Sequence, residues 1–161
     1  MDTERGPLAG GTTRHSDELA RYVRDGRIDA ARRAAGELIE AGAQDEALDA
    51  LARLAPTGPE ALELFVEILD ASGVVRRFAG AALLDPVAVD DVAQDSLISI
   101  AQSVGGYDGR AKVTTWAHSI VRRRVVDHLR RQRETVELQE QHRPAARMSS
   151  LIADRLTVRQ V

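Results

Sequence analysis

The sequence predicts an all-α fold, a helical bundle preceded by short N-terminal amphipathic helices, and three observations carry that expectation. No stretch alternates polar and apolar residues with period two for long enough to make a strand. Apolar residues recur instead at intervals of three and four, as in Ile28, Ala31, Ala35 and Leu38 or in Leu62, Phe65, Val66 and Leu69. Between these stripes stand residues that end helices: Gly26, Gly42, Pro56, Gly73, Asp85-Pro86 and Gly105-Gly106.

Taken in order, residues 1–15 are rich in Gly, Thr and charge without a period and are expected to form a disordered lead. Helical patterning starts at Ser16, with stripes at Leu19, Tyr22 and Val23, then from Ile28 to Ile39, then at Ala47, Leu48, Leu51 and Leu54. Thr57 followed by Pro59 and Glu60 is the signature of a capping box, so a helix is expected to start there and to end near Ser72-Gly73. A further helix stops at Asp85-Pro86, because the residue before proline is pushed out of the helical region. Asp90 is expected to open the next helix, which runs to Gly105-Gly106, and a polar loop leads into a basic helix beginning near Thr114.

Composition narrows the chemistry. The 161 residues allow one domain or one with a helical annex, and the five aromatics (Trp 1, Tyr 2, Phe 2) require an aliphatic core. Without cysteine there is no disulfide, thiolate metal site or cysteine nucleophile. No apolar run approaches the roughly 20 residues that span a bilayer, and the start lacks the order of a signal peptide, so a soluble cytoplasmic protein is expected. Phosphate loops, nucleophile elbows and His-Glu-x-x-His pairs are missing, and no catalytic residue, cofactor or metal ligand is assigned. His118 and His128 are ten residues apart, too far to share one helical face as ligands, and both flank the apolar side of the basic helix, where a structural role is expected.

The net charge of −3 conceals a strong segregation. Residues 37–70 hold nine acids against one base, Arg53, and residues 85–104 hold four acids and no base. Residues 105–133 reverse the sign, with eight bases against Asp108 and Asp127. Such a chain pairs a polyanion-binding strip with an acidic remainder. Two readings of the acidic N-terminal helices stay open: a solvated annex with no regulatory role, or helices that pack on the bundle and partly screen the basic surface until a partner displaces them.

Two helices carry information on their outer faces. In the first, Ala93, Leu97, Ile100, Ala101 and Val104 point inward, while Asp91, Asp95, Ile98 and Gln102 line up outside as a docking surface for a basic partner. In the basic helix, Ala117, Val121, Val125 and Leu129 are expected to be buried. Trp116, Ile120, Arg123, Asp127 and Arg130 fall on the opposite side, flanked by Arg124 and Arg131. A flat ring among guanidiniums suits single-stranded nucleic acid, whose bases stack while its phosphates pair.

These residues are recognisable. Asp90-Asp91-Val92-Ala93-Gln94-Asp95-Ser96-Leu97, then Tyr107-Asp108-Gly109-Arg110, then Thr115-Trp116, Ile120 and Asp127-His128-Leu129-Arg130-Arg131 resemble conserved region 2 of the extracytoplasmic-function (ECF) group of bacterial sigma-70-type factors. The resemblance implies a non-enzymatic transcription initiation factor whose partners are core RNA polymerase, through the clamp helices of its largest subunit, and the single-stranded minus-ten region of promoter DNA. It leaves room for an anti-sigma factor. It places Asp91, Gln94 and Asp95, with Ile98 and Gln102 on the same face, on the polymerase-binding helix. Tyr107, Asp108, Gly109, Arg110 and Lys112 fall in a loop that captures a flipped-out base, and Trp116 with Arg122, Arg123, Arg124, Arg130 and Arg131 holds the non-template strand.

Two departures stand out: Val121-Arg122-Arg123 replaces the usual Ala-Arg-Asn, and Val113-Thr114 occupies the place of an aromatic. The expected organisation is a lead over 1–15, a helical extension over 16–56, the region 2-like bundle over 57–133, and a linker over 134–161 that opens a truncated region 4 domain. An alternative organisation makes the bundle a protein-interaction module regulated or sequestered through the N-terminal helices.

Overall fold

A computed structural model describes residues 8–142. Among them are seven α-helices and no strand: α1 (Leu8–Arg24), α2 (Ile28–Glu40), α3 (Gln44–Leu54), α4 (Pro59–Ala71), α5 (Val74–Ala82), α6 (Pro86–Ser103) and α7 (Val113–His142). The chain divides into two compact units, the first reaching Val125 and the second beginning at Val126 within α7.

The first unit has one hydrophobic core. Leu19 of α1, Leu38 of α2, Leu48 and Leu51 of α3, Leu64, Phe65 and Leu69 of α4, Val75 of α5, Val92 and Ile100 of α6 and Val113 and Val121 of α7 are all fully buried in it. The helices expected as a separate extension over 16–56 thus bury their apolar faces against the same core as the bundle expected from 57. Alanine makes this packing close, since Ala31, Ala35, Ala47, Ala79 and Ala117 are also fully buried. Across the surface of this unit, Arg32 of α2 reaches Glu67 of α4 with both Nε (2.9 Å) and Nη2 (3.0 Å).

Several element boundaries differ from the sequence expectation. Helix α1 starts at Leu8, so the lead expected over 1–15 is helical from that point. Its last turns are anchored by Leu19 and Val23, and tertiary burial of that face outweighs the weak local propensity of the Gly-Thr run. Thr57 does not cap α4. Its hydroxyl donates to the Leu54 carbonyl at 2.6 Å inside a 3-10 turn, Ala55–Thr57, and Gly58 takes the N-cap position without a side-chain bond.

The next helix opens earlier than Asp90. Asp85 is the N-cap of α6 and its carboxylate accepts from the Val87 amide at 3.1 Å, with Pro86 in the first turn. Asp85-Pro86 therefore starts α6, whereas α5, expected to run to that pair, already ends at Ala82, with Leu83 in an extended conformation. In the second unit α7 continues as helix to His142, so the linker expected from residue 134 begins as helix; the rest of that expected segment, with the truncated region 4 domain, lies outside the described residues.

Candidate nucleic-acid interface

The loop between α6 and α7 is built from residues with little freedom to choose another shape. The Asp108 carboxylate accepts from the Arg110 amide at 3.0 Å, which closes a tight turn, and Gly109 inside it has φ +76°. That left-handed value suits glycine alone among these residues. The Tyr107 hydroxyl donates to the Ala111 carbonyl and ties the two ends of the loop together. Burial pushes the Tyr107 phenol above its ordinary range, and the nearby Asp49 carboxylate adds to that shift.

The loop rests against α3. Lys112 Nζ lies 3.0 Å from Asp45 Oδ2, and the Val113 amide donates to Asp49 Oδ1 at 2.8 Å. A Cβ on Gly109 would stand 3.3 Å from Arg53 Nε. Asp45, Asp49 and Arg53 follow one another at intervals of four on α3, so a single face of that helix meets the loop. The hydrogen bond that Lys112 donates to Asp45, and then the field of that carboxylate, hold the Lys112 ammonium above the usual lysine range.

Beside the loop, the rings of Tyr107 and Trp116 are 5.5 Å apart and tilted by 48°. Both are half-buried and pack on the edge of the core. Trp116 therefore does not project fully into solvent as the sequence projection expected, but is half-buried in an aromatic pair with Tyr107. Ile120, expected on the same outer stripe, is only 7% exposed and belongs to the core. Inclusion of Ile120 turns the buried face of α7 by about one residue, and this rotation leaves Leu129 exposed rather than buried.

The basic residues divide by position. Arg110, Lys112, Arg122 and Arg123 are exposed in the first unit, and Arg124 is half-buried there. Arg130 and Arg131 are exposed in the second unit, where Arg131 Nε donates to the Asp127 carbonyl at 3.4 Å. Of these basic residues Lys112 is paired with the acidic α3, through Asp45, and Arg122 and Arg123 are exposed. His118 is exposed and lies with its ring 4.4 Å from that of Phe78, while His128 is half-buried.

Helix α6 has two sharply different faces. Val92, Ala93, Ser96 and Ile100 are buried, and the Ser96 hydroxyl is satisfied by the Val92 carbonyl at 2.6 Å. Asp91, Gln94, Asp95, Ile98 and Gln102 are all exposed on the other side. Two apolar residues that the sequence projection missed extend this face: Val87, 66% exposed, and Leu84, fully exposed just before the helix. Stepping back four residues from Asp91 would have found Val87, had the helix been started at Pro86. Asp90 is engaged by Arg76 of α5.

Comparison with known proteins gives this arrangement a context. Residues 70–135 match the family model described as Sigma-70 region 2. Over 68 residues the chain is 32% identical to the ECF RNA polymerase sigma factor SigF of Caulobacter vibrioides (strain NA1000 / CB15N), a match that covers 41% of this chain and 36% of that protein. The chain thus spans about a third of the length of that relative. No solved structure matches it. Over residues 70–135 the chain is thus similar to sigma-70 region 2, and over a comparable length to an ECF-type sigma factor. The matched span takes in α5, α6, the loop and most of α7; α1, α2, α3 and nearly all of α4 precede it.

Proposed function

We propose that this protein acts as an ECF-type RNA polymerase sigma factor in the bacterial cytoplasm, binding core polymerase and recognising and melting the promoter minus-ten element without catalysis of its own. The observation that carries the reading is the pairing, inside the matched span, of two surfaces on consecutive elements. One is the exposed α6 face of Asp91, Gln94, Asp95, Ile98 and Gln102. The other is the loop and helix of Tyr107, Asp108, Gly109, Arg110, Lys112, Trp116, Arg122 and Arg123. Carboxylates around an exposed isoleucine suit a basic, partly apolar partner surface, and the resemblance points to the polymerase clamp helices as that partner. An aromatic pair edged with guanidiniums suits unpaired DNA, and Arg124, Arg130 and Arg131 carry the positive charge farther along α7.

Two binding measurements test it. The protein is expected to retain core polymerase in a pull-down, and the reconstituted complex is expected to open promoter DNA in a salt-sensitive manner, as phosphate contacts require. Retention of a protein partner without any DNA opening would favour the interaction-module alternative. Failure to bind polymerase would remove the sigma-factor reading.

A further inference from the structure

The contact between α3 and the loop joins a part of the chain that lies outside the matched span to the part proposed to read DNA. Three of its features decide what it can do. First, it grips the loop at its stem: Asp49 bonds the backbone of Val113, the first residue of α7, and Asp45 pairs with Lys112. A carboxylate on the leading amide of a helix is also favoured by the helix dipole. Second, it leaves the tip open, since the side chain of Arg110 is 90% exposed and that of Asp108 is 61% exposed. A helix that covered the loop would bury these two first. Third, α3 cannot readily withdraw, because Ala47, Leu48, Leu51 and Ala52 on its other side are buried in the core.

We propose that Asp49 and Arg53 of α3, with Asp45, are positioning residues that brace the 107–112 loop, so that its selectivity for a captured base is set partly from outside the sigma region 2 domain. The proposal rests on the promoter-recognition reading above. Asp49 fixes where the loop hands over to α7, and the Arg53 guanidinium lies against the Gly109 turn, its Nε 3.3 Å from where a Cβ would stand. Asp45 holds the flexible Lys112 side chain to one side of the loop. The brace is therefore a device for precision, distinct from a lid that regulates access.

The test uses the full chain. Hydrogen exchange of residues 107–113 in the free protein is expected to be about tenfold faster in Asp49→Ala than in wild type, and unchanged in Glu63→Ala, an exposed change on α4. Equal exchange in wild type and Asp49→Ala would overturn the brace whatever the protein does with DNA. In complex with core polymerase, wild type is then used to select from a pool of random single-stranded decamers. Wild type is expected to enrich one base about tenfold at one position, and Asp49→Ala and Arg53→Ala to flatten that enrichment to within about threefold while retaining total DNA binding. Asp49→Asn, whose amide oxygen still accepts from Val113, is expected to restore most of it. Enrichment that survives in Arg53→Ala, the exposed site that folding does not depend on, overturns the brace. A wild type that enriches no base overturns the promoter-recognition reading and the brace with it.

Discussion

Asp49 on α3 accepts a 2.8 Å hydrogen bond from the amide of Val113, sixty-four residues away at the start of α7. The leading amides of a helix have no partner within it, and here a carboxylate from a different helix supplies one. The basic helix is thereby fixed in space at the end nearest the loop.

Charge reversal on α6 separates docking from folding. Asp91→Arg with Asp95→Arg is expected to abolish retention of core polymerase in a pull-down. The unfolding midpoint should hardly move, because exposed substitutions shift stability by only about 0.5 kcal/mol. Normal retention by the folded double variant would remove α6 as the docking surface.

Trp116 is expected to matter twice. Its ring is half-buried against Tyr107, so Trp116→Ala should lower stability, by about 1–3 kcal/mol for an incompletely buried aromatic. Loss of a stacking platform should separately weaken promoter opening about 5- to 150-fold. Trp116→Phe distinguishes the two, as it keeps a ring for packing while reducing the surface offered to a base. Opening that follows the unfolding midpoint alone would make the residue purely structural.

A side chain at Gly109 is strained. Gly109→Ala forces a non-glycine residue to φ +76° and brings a Cβ to 3.3 Å from Arg53 Nε. The left-handed strain is about 1–2 kcal/mol, which should appear as a lower midpoint in urea and as a displaced loop by amide chemical shifts. Arg53→Ala in the same chain should relieve the second effect and not the first.

Acid should loosen the link between α2 and α4. The hydrogen bond from Arg32 holds the Glu67 carboxyl below the ordinary glutamate range. A lowered folded value means that the contribution to stability is fully present above the unfolded value of 4.5 and is lost as pH falls through the lower folded one. The difference in thermal midpoint between wild type and Glu67→Gln should thus stay constant above pH 4.5 and shrink below it. A difference that grows on acidification would contradict the assignment.

The helical class and the two faces of α6 were legible because apolar periodicity records burial directly: Ala93, Ile100 and Val104 face one way and Asp91, Asp95 and Ile98 the other. Local signals misled where they had rivals. Thr57 looked like a cap, yet its hydroxyl found the Leu54 carbonyl, and Asp85 took the capping role five residues before Asp90. The outer stripe of α7 was misassigned at Trp116 and Ile120 because basic residues dominate the helix and obscure a buried face that is broader than one apolar row. The α3 contact with the loop was invisible for a different reason. Asp45, Asp49 and Arg53 read as part of a solvated acidic run, and nothing local links them to residues more than fifty positions away.

The single core of the first unit has a consequence for what counts as a module here. Family resemblance begins at residue 70, but cooperative unfolding does not recognise that border: Leu48 and Leu51 before it and Val92 and Ile100 after it are shielded from water by one another's neighbourhood. Helices α1 to α7 up to Val125 should melt together, in a single transition with coincident far-ultraviolet and tryptophan signals. A fragment cut at the border would carry a raw apolar face and aggregate. What resemblance delimits and what thermodynamics delimits are different objects in this chain, and substitutions in α3 will be felt in the 107–112 loop and the start of α7 as readily as substitutions within them.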